Sequence, residues 1–306
     1  MPLISIITVN YNQAKATIDL LTSIQLHGSH LQLEIILVDN GSVENKEHDY
    51  KNCCKDIIFI RSAQNIGFAA GNNLGIDVAT GDYLFLVNND TVFTAGLIES
   101  LVHTMESHPA IGIISPMIMY DQDPTIVQYA GFTPMNYYTC RNECIGQFEK
   151  DHGQFDGIIG QTGYCHGAAM MISRTAIEKS GLMAENFFLY YEEMDWCEKV
   201  KGAGFEIWVN TTARIYHKES LAVGKNSGLK EYFMNRNRIL FIRRNASSFQ
   251  CLIFCVYFLT LVTPRNIMKY IKEKNHGYIG LLFRSIAWNI RHSVNSTYLG
   301  YTIKHN

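Results

Sequence analysis

Asn88-Asn89-Asp90 carries the strongest chemical signal in the chain. It follows Tyr83-Leu84-Phe85-Leu86-Val87, a short apolar run that reads as a buried strand. Residues two apart on a strand point the same way. Asn88 and Asp90 can therefore share one hard cation, with substrate phosphates completing its shell as Mg²⁺ and Mn²⁺ usually require. An Asx turn capping the next helix would use the same residues. Asn10-Tyr11-Asn12 and Asp39-Asn40-Gly41-Ser42 also close apolar runs, where polar residues serve turns as often as ligands. Asn65-Ile66-Gly67-Phe68-Ala69-Ala70-Gly71-Asn72-Asn73 opens a helix. Its glycines lie three residues apart, not in the GxGxxG pattern, which nearly excludes a nicotinamide oxidoreductase. Glycines at a helix start still let backbone amides approach an anion.

A second kind of chemistry lies at Tyr190-Tyr191-Glu192-Glu193-Met194-Asp195-Trp196. A helix starting near Glu192 places Glu193, Trp196, Cys197 and Val200 on one row, otherwise apolar and directed inward. Glu192, Asp195 and Lys199 form the polar row. Glu193 is then a poorly solvated carboxylate, which suits a general base. The other reading is a first-turn carboxylate complementing the helix dipole. His217, after Ile215-Tyr216, is either structural or a ligand.

These residues need elements to hold them. Segments 3–9, 34–38, 57–60, 83–87 and 111–115 are short, apolar and rich in β-branched residues, as strands covered on both faces are. Segments 14–26, 68–79 and 94–108 between them read as helices. The alternation predicts an α/β fold with a central, mostly parallel sheet flanked by helices, and ligands beyond the carboxyl ends of the strands. From about 116 to 163 the pattern becomes irregular. A strand at 168–173, helices at 175–181 and 192–201, and a strand at 205–209 follow. Segment 229–244 is helical and basic. The apolar stretch 249–262 is closed by Thr263-Pro264 and followed by Arg265, Lys269, Lys272 and Lys274. It falls short of a bilayer span, so it is either a buried helix or an interfacial one beside anionic headgroups.

Composition bounds the rest. The 306 residues, 47% hydrophobic and 18% charged, supply a large core and exclude disorder. A net charge of −2 argues against a nucleic-acid binder. Eight cysteines include no CxxC pair, which speaks against zinc or a disulfide framework. Met1-Pro2-Leu3-Ile4-Ser5 enters an apolar run with no basic leader. The expectation is a reduced, cytoplasmic protein, with peripheral contact at the cytoplasmic membrane face if 249–262 is interfacial.

Taken in order, the clusters resemble the family 2 inverting glycosyltransferases, in particular their rhamnosyltransferase-like branch. The resemblance spans roughly residues 1 to 245. It implies a GT-A fold with a nucleotide-sugar-binding half (1–115), an acceptor-binding and catalytic half (116–225) and a C-terminal helical region (226–306). Thr8, Asn10 and Asp39 match positions holding nucleobase and ribose, and Asn65, Gly67 and Asn73 match the loop lining the nucleotide pocket. Asn88-Asn89-Asp90 stands where the family has its DxD-type motif, with Asp90 matching the metal carboxylate and Asn88 replacing the first aspartate. Gly167-Ala168 matches a small-residue loop near the acceptor. The segment 187–195 is similar to the acidic motif whose second acid is the catalytic base, here Glu193 where many members have Asp. His217, followed by Ser220, matches a histidine that completes the metal site in related enzymes. Arg236 and Arg238 resemble a segment beyond the core, and would bind a donor or lipid diphosphate unless they form a solvated helix face. The implied activity is inverting transfer of rhamnose or another hexose in surface-polysaccharide synthesis. The implied cofactor is a divalent cation (Mn²⁺ or Mg²⁺) and the donor is dTDP- or UDP-linked. The acceptor is a glycan or polyprenyl-diphosphate-linked sugar. The alternative is a nucleotide-sugar-binding or scaffold subunit without turnover.

Overall fold

The computed structural model describes residues 2–28, 31–219 and 227–303; Ser220 lies outside them. The chain runs β1 (Leu3–Asn10), α1 (Ala14–His27), β2 (Gln32–Asp39), α2 (Glu47–Cys53), β3 (Ile58–Arg61), α3 (Phe68–Val78), β4 (Tyr83–Asn88), β5 (Thr91–Phe93), α4 (Leu97–Ser107) and β6 (Ile111–Tyr120). It continues through β7 (Val127–Tyr129), β8 (Ile159–Gln161), β9 (Ala169–Ser173), α5 (Arg174–Ser180), α6 (Glu192–Gly202) and β10 (Glu206–His217). Four helices follow: α7 (Gly228–Asn245), α8 (Ser248–Tyr257), α9 (Thr263–Lys272) and α10 (Gly277–Arg291).

One ten-stranded sheet organises the molecule, in the order β3-β2-β1-β4-β9-β6-β10-β5, with β7 on β6 and β8 on β10. β1, β2, β3 and β4 pair in parallel, as do β6 and β10. β9 enters antiparallel between β4 and β6. The continuous apolar runs are explained by helices on both faces. Ile4, Ile6, Phe85 and Val87 pack with Leu20 of α1 and Leu101 of α4, while Ile7, Leu84 and Leu86 pack with Ile76 of α3 and Trp196 of α6. Registers Asn10↔Asp39 and Val9↔Asn88 bring the polar ends of β1, β2 and β4 level at one edge.

β10 differs from expectation. It does not stop near Val209 but continues to His217, with a register shift between Asn210 and Arg214 opposite Pro116 and Met117. Pro116 offers no ladder N–H, so the strand bulges there and resumes. The polar run Asn210-Thr211-Thr212 is that bulge, and it hides the strand from a periodicity reading. α2 is short and polar outside Tyr50, which leaves little pattern to read.

The apolar segment after residue 248 is also longer than expected. Pro264 does not close it: Ser248–Lys272 forms one 25-residue helical stretch, long and apolar enough by length and composition to cross a membrane. A π-turn at Phe258–Val262 precedes the proline and admits it without a break. Phe254, Phe258 and Val262 face the C-terminal core, whereas Phe249, Leu252, Val256, Leu259 and Leu261 are exposed.

Candidate active site

The aligned carboxyl ends of the strands border a cavity of about 700 Å³, a size that admits a nucleotide-sized ligand. Asn88, Asp90 and His217 meet in its wall. β5 turns back antiparallel on β10 and sets Thr91 opposite His217. The Lys218 N–H donates to the Asp90 carbonyl at 2.9 Å. His217 Nε2 thus lies 3.1 Å from Asp90 Oδ1 and 3.5 Å from Asn88 Nδ2. On its other side, His217 Nδ1 lies 2.8 Å from Gln128 Oε1.

The donor set fits a divalent cation. Gln128 holds the ring at Nδ1, and Nε2 faces the Asp90 carboxylate oxygen. Nε2 and the carboxylate oxygen are close enough together for one cation to bind both, and a polar partner at the other ring nitrogen is usual for ligating histidines. One carboxylate and one imidazole leave room for diphosphate oxygens, as hard cations require.

The nucleotide-side residues divide. Asn65 and Gly67 line the cavity. Gly67 has φ +93°, and a Cβ there would stand 2.5 Å from the Phe188 carbonyl oxygen, so only glycine allows this approach. Asn40 braces the loop, accepting from Ile66 N–H at 3.0 Å and donating to the Gly67 carbonyl at 3.0 Å. Asn10 is a buried hub instead. Its amide donates to Asp39, Ser42 and Tyr50 at 3.0–3.2 Å, and its oxygen accepts from Thr17 and Asn89. Asp39 is buried and pairs with Arg61 Nε at 3.2 Å. Thr8 is fully buried in the sheet. None of these three lines the cavity; Val9, Tyr11, Asn12 and Asn40 do. Asn73 is likewise turned inward, to Met183 and Glu185.

The acidic motif also departs from the helical-wheel expectation. Glu192 and Asp195 are buried and Glu193 is half-buried, so Glu192 and Asp195 do not form an exposed polar row. Asp195 is instead held by Arg244, at 2.8 and 3.2 Å, and by Asn245 at 2.8 Å. Burial raises the Glu193 carboxyl above its ordinary range, against backbone amides of the helix start that lower it. Burial, and then the Glu193 charge, raise Glu192 well above it. Glu193 packs on Gly167, its carboxyl carbon 3.8 Å from where a Cβ would stand. Gly167 in turn follows His166, which lines the cavity. Ala168 is core, its carbonyl accepting from Asn88 N–H at 2.9 Å.

His166 was not legible as a site residue. Burial, with His217 nearby, pushes it down to about 3, so it is neutral. Its Nδ1 accepts from Ala168 N–H at 3.1 Å, which places its proton on Nε2. Arg236 and Arg238 do not reach the cavity. Arg236 is fully buried, bonded to Asn237 Oδ1, the Leu299 carbonyl and the Asn186 carbonyl. Arg238 donates to the Thr139 carbonyl and stands over Phe254 and Phe258. Neither forms a solvated face.

The family model for glycosyl transferase family 2 matches residues 5–181. This chain belongs to that family. The transferase is 26% identical over 250 residues to the low-salt glycan biosynthesis hexosyltransferase Agl10 of Haloferax volcanii, spanning 78% of this chain and 74% of that one. It is 18% identical over 241 residues to the N-acetylglucosaminyl-diphospho-decaprenol L-rhamnosyltransferase of Mycobacterium tuberculosis, spanning 72% and 78%. The structure of GalNAc-T7 with UDP, GalNAc and Mn²⁺ matches with a TM-score of 0.62 at 14% identity, over 79% of this chain and 48% of that one. That likeness shows the GT-A fold of the transferase.

Proposed function

We propose that this glycosyltransferase moves a hexose, with inversion, from a nucleoside diphosphate to a lipid-diphosphate-linked sugar. The observation that carries the reading is the Asp90–His217 pair in the wall of the cavity; Glu193, half-buried, does not itself line that cavity but packs on Gly167, the residue after cavity-lining His166. Asn65, Gly67 and Asn40 border the nucleotide, and Asn88, Asp90 and His217 face its diphosphate. A divalent cation held by Asp90 and His217 would offset charge on the departing diphosphate. Glu193 takes the proton of an acceptor hydroxyl as that oxygen bonds to the anomeric carbon and the bond to the diphosphate breaks on the opposite face. His166 Nε2–H is a neutral donor in the same wall, suited to a sugar hydroxyl or a phosphate oxygen.

The M. tuberculosis relative, by its name, acts on a decaprenyl-diphosphate-linked N-acetylglucosamine, and GalNAc-T7 holds UDP and Mn²⁺. Both support this donor and acceptor chemistry. The exposed apolar side of α8, with Arg265, Lys269 and Lys272 exposed on α9, fits a protein seated on an anionic membrane face where such acceptors lie. The test is nucleoside-diphosphate release from UDP-, dTDP- and GDP-hexoses in the presence of a short-chain N-acetylglucosaminyl-diphosphoprenol. Product of inverted anomeric configuration by NMR is expected. Retained configuration contradicts the assignment of Glu193 as a base.

A further inference from the structure

The segment that delivers Glu193 has an unusual backbone. Phe188, Tyr190 and Tyr191, none a glycine, have φ of +65°, +71° and +73° immediately before α6 begins. Left-handed residues in such density persist only where surrounding contacts over-determine them. The Phe188 carbonyl is taken by Phe68 N–H at 2.7 Å. The carbonyls of Phe187, Leu189 and Tyr190 turn the other way, toward α7. The Asn237 side-chain amide lies 2.9, 2.8 and 2.8 Å from the carbonyl oxygens of Phe187, Leu189 and Tyr190. Its own oxygen accepts from Arg236 Nε at 2.9 Å, and Arg236 also donates to the Asn186 carbonyl. Asn237 is fully buried, so no solvent competes. Two turns further on, Arg244 and Asn245 hold Asp195 in the first turn of α6. The catalytic segment is therefore gripped from α7 on both sides of Glu193.

We propose that Asn237 is a positioning residue for the transfer step, holding the left-handed segment in the shape that sets Glu193 against Gly167. The chemistry explains the residue type. Only a primary amide offers paired N–H donors to three carbonyls and an oxygen to the arginine. An aspartate there would set carboxylate oxygens against carbonyl oxygens, and an apolar residue would take the donor from the Leu189 and Tyr190 carbonyls, leaving Phe187 with only the Leu189 N–H. The inference gives the Arg236-Asn237 pair a role other than phosphate binding, and it rests on Glu193 being the base.

The experiment compares Asn237→Asp, Glu193→Gln and Ile57→Ala, the last removing core packing around Leu21, Leu37 and Tyr50, a cluster that contains no residue of 186–194. Three readouts are taken: kcat for nucleoside-diphosphate release, calorimetric affinity for UDP with Mn²⁺, and deuterium uptake across 186–194. For Asn237→Asp, kcat is expected to fall on the order of tenfold or more, UDP affinity to stay within about threefold, and uptake across 186–194 to rise. Ile57→Ala should lower Tm while leaving kcat and that uptake unchanged. An Asn237→Asp protein with unaltered kcat, or with unaltered uptake, overturns the proposal. Full transfer by Glu193→Gln overturns the base assignment beneath it, whatever Asn237→Asp does. If Asn237→Asp does not fold, Asn245→Ala, half-buried and on the second grip, takes its place; a several-fold loss of kcat supports the clamp and no loss rejects it.

Discussion

Glu192 and Glu193 are neighbours with different burdens. Glu193 borders Gly167 with a carboxyl raised by burial, poised to accept a proton. Glu193→Gln should keep donor binding and lower transfer by about 10²–10⁴, the range of general acid–base catalysis. Wild-type kcat/KM should fall on the acid side with a midpoint above the ordinary glutamate range, and in Glu193→Gln that limb should vanish. Glu192 has one carboxylate oxygen buried with no hydrogen-bond partner among the described residues. Its carboxyl is raised in the folded state, so the protein's stability is full below the unfolded value, about pH 4, and declines as pH rises toward the folded value. Glu192→Gln should therefore raise Tm at pH 7 and gain nothing near pH 4, as thermal unfolding at the two pH values would show. An equal gain at both would mean that burial of charge is not the cause.

The elements differ in how openly the sequence announces them. β1, β2 and β4 are legible because strands covered on both faces must be apolar throughout, and their polar ends mark the site edge. β10 is legible only over its first residues, within the expected strand 205–209, because Pro116 forces a bulge at Asn210-Thr211-Thr212 before the strand resumes at Arg214. Its last residue, His217, is nonetheless the partner of Asp90. The helical wheel correctly buried Trp196, Cys197 and Val200 but misplaced Glu192 and Asp195, since long-range partners on α7 cannot be read from local spacing. Asn10 and Asp39 show the same limit: their types suit ligands, yet each spends its polar atoms on neighbours. The Asp195–Arg244 pair, with Asp195 buried, gives an element-scale prediction. Arg244→Ala should cost about 3 kcal/mol by denaturant unfolding, because it strands a buried carboxylate. A cost within error of zero would show that α7 does not secure α6.

At the scale of the whole molecule, one sheet edge gathers the Asn65–Gly67 loop, the Asp90–His217 pair and, behind Gly167, Glu193, while the C-terminal helices hold the acidic motif from outside. Those helices also expose an apolar ridge at Phe249, Leu252, Val256 and Leu259. The protein should float with liposomes containing anionic lipid, and Leu252→Asp with Val256→Asp should abolish flotation. A double variant that floats like wild type would remove the ridge from membrane contact. The central claim is a cation-assisted nucleoside-diphosphate site at Asp90 and His217. Calorimetry of UDP, dTDP and GDP, each with and without Mn²⁺, tests it most directly, in wild type and in Asp90→Asn and His217→Ala. One nucleotide should bind tightly only with Mn²⁺, and both variants should lose that dependence. Binding that ignores the metal, or that survives both substitutions unchanged, would contradict it.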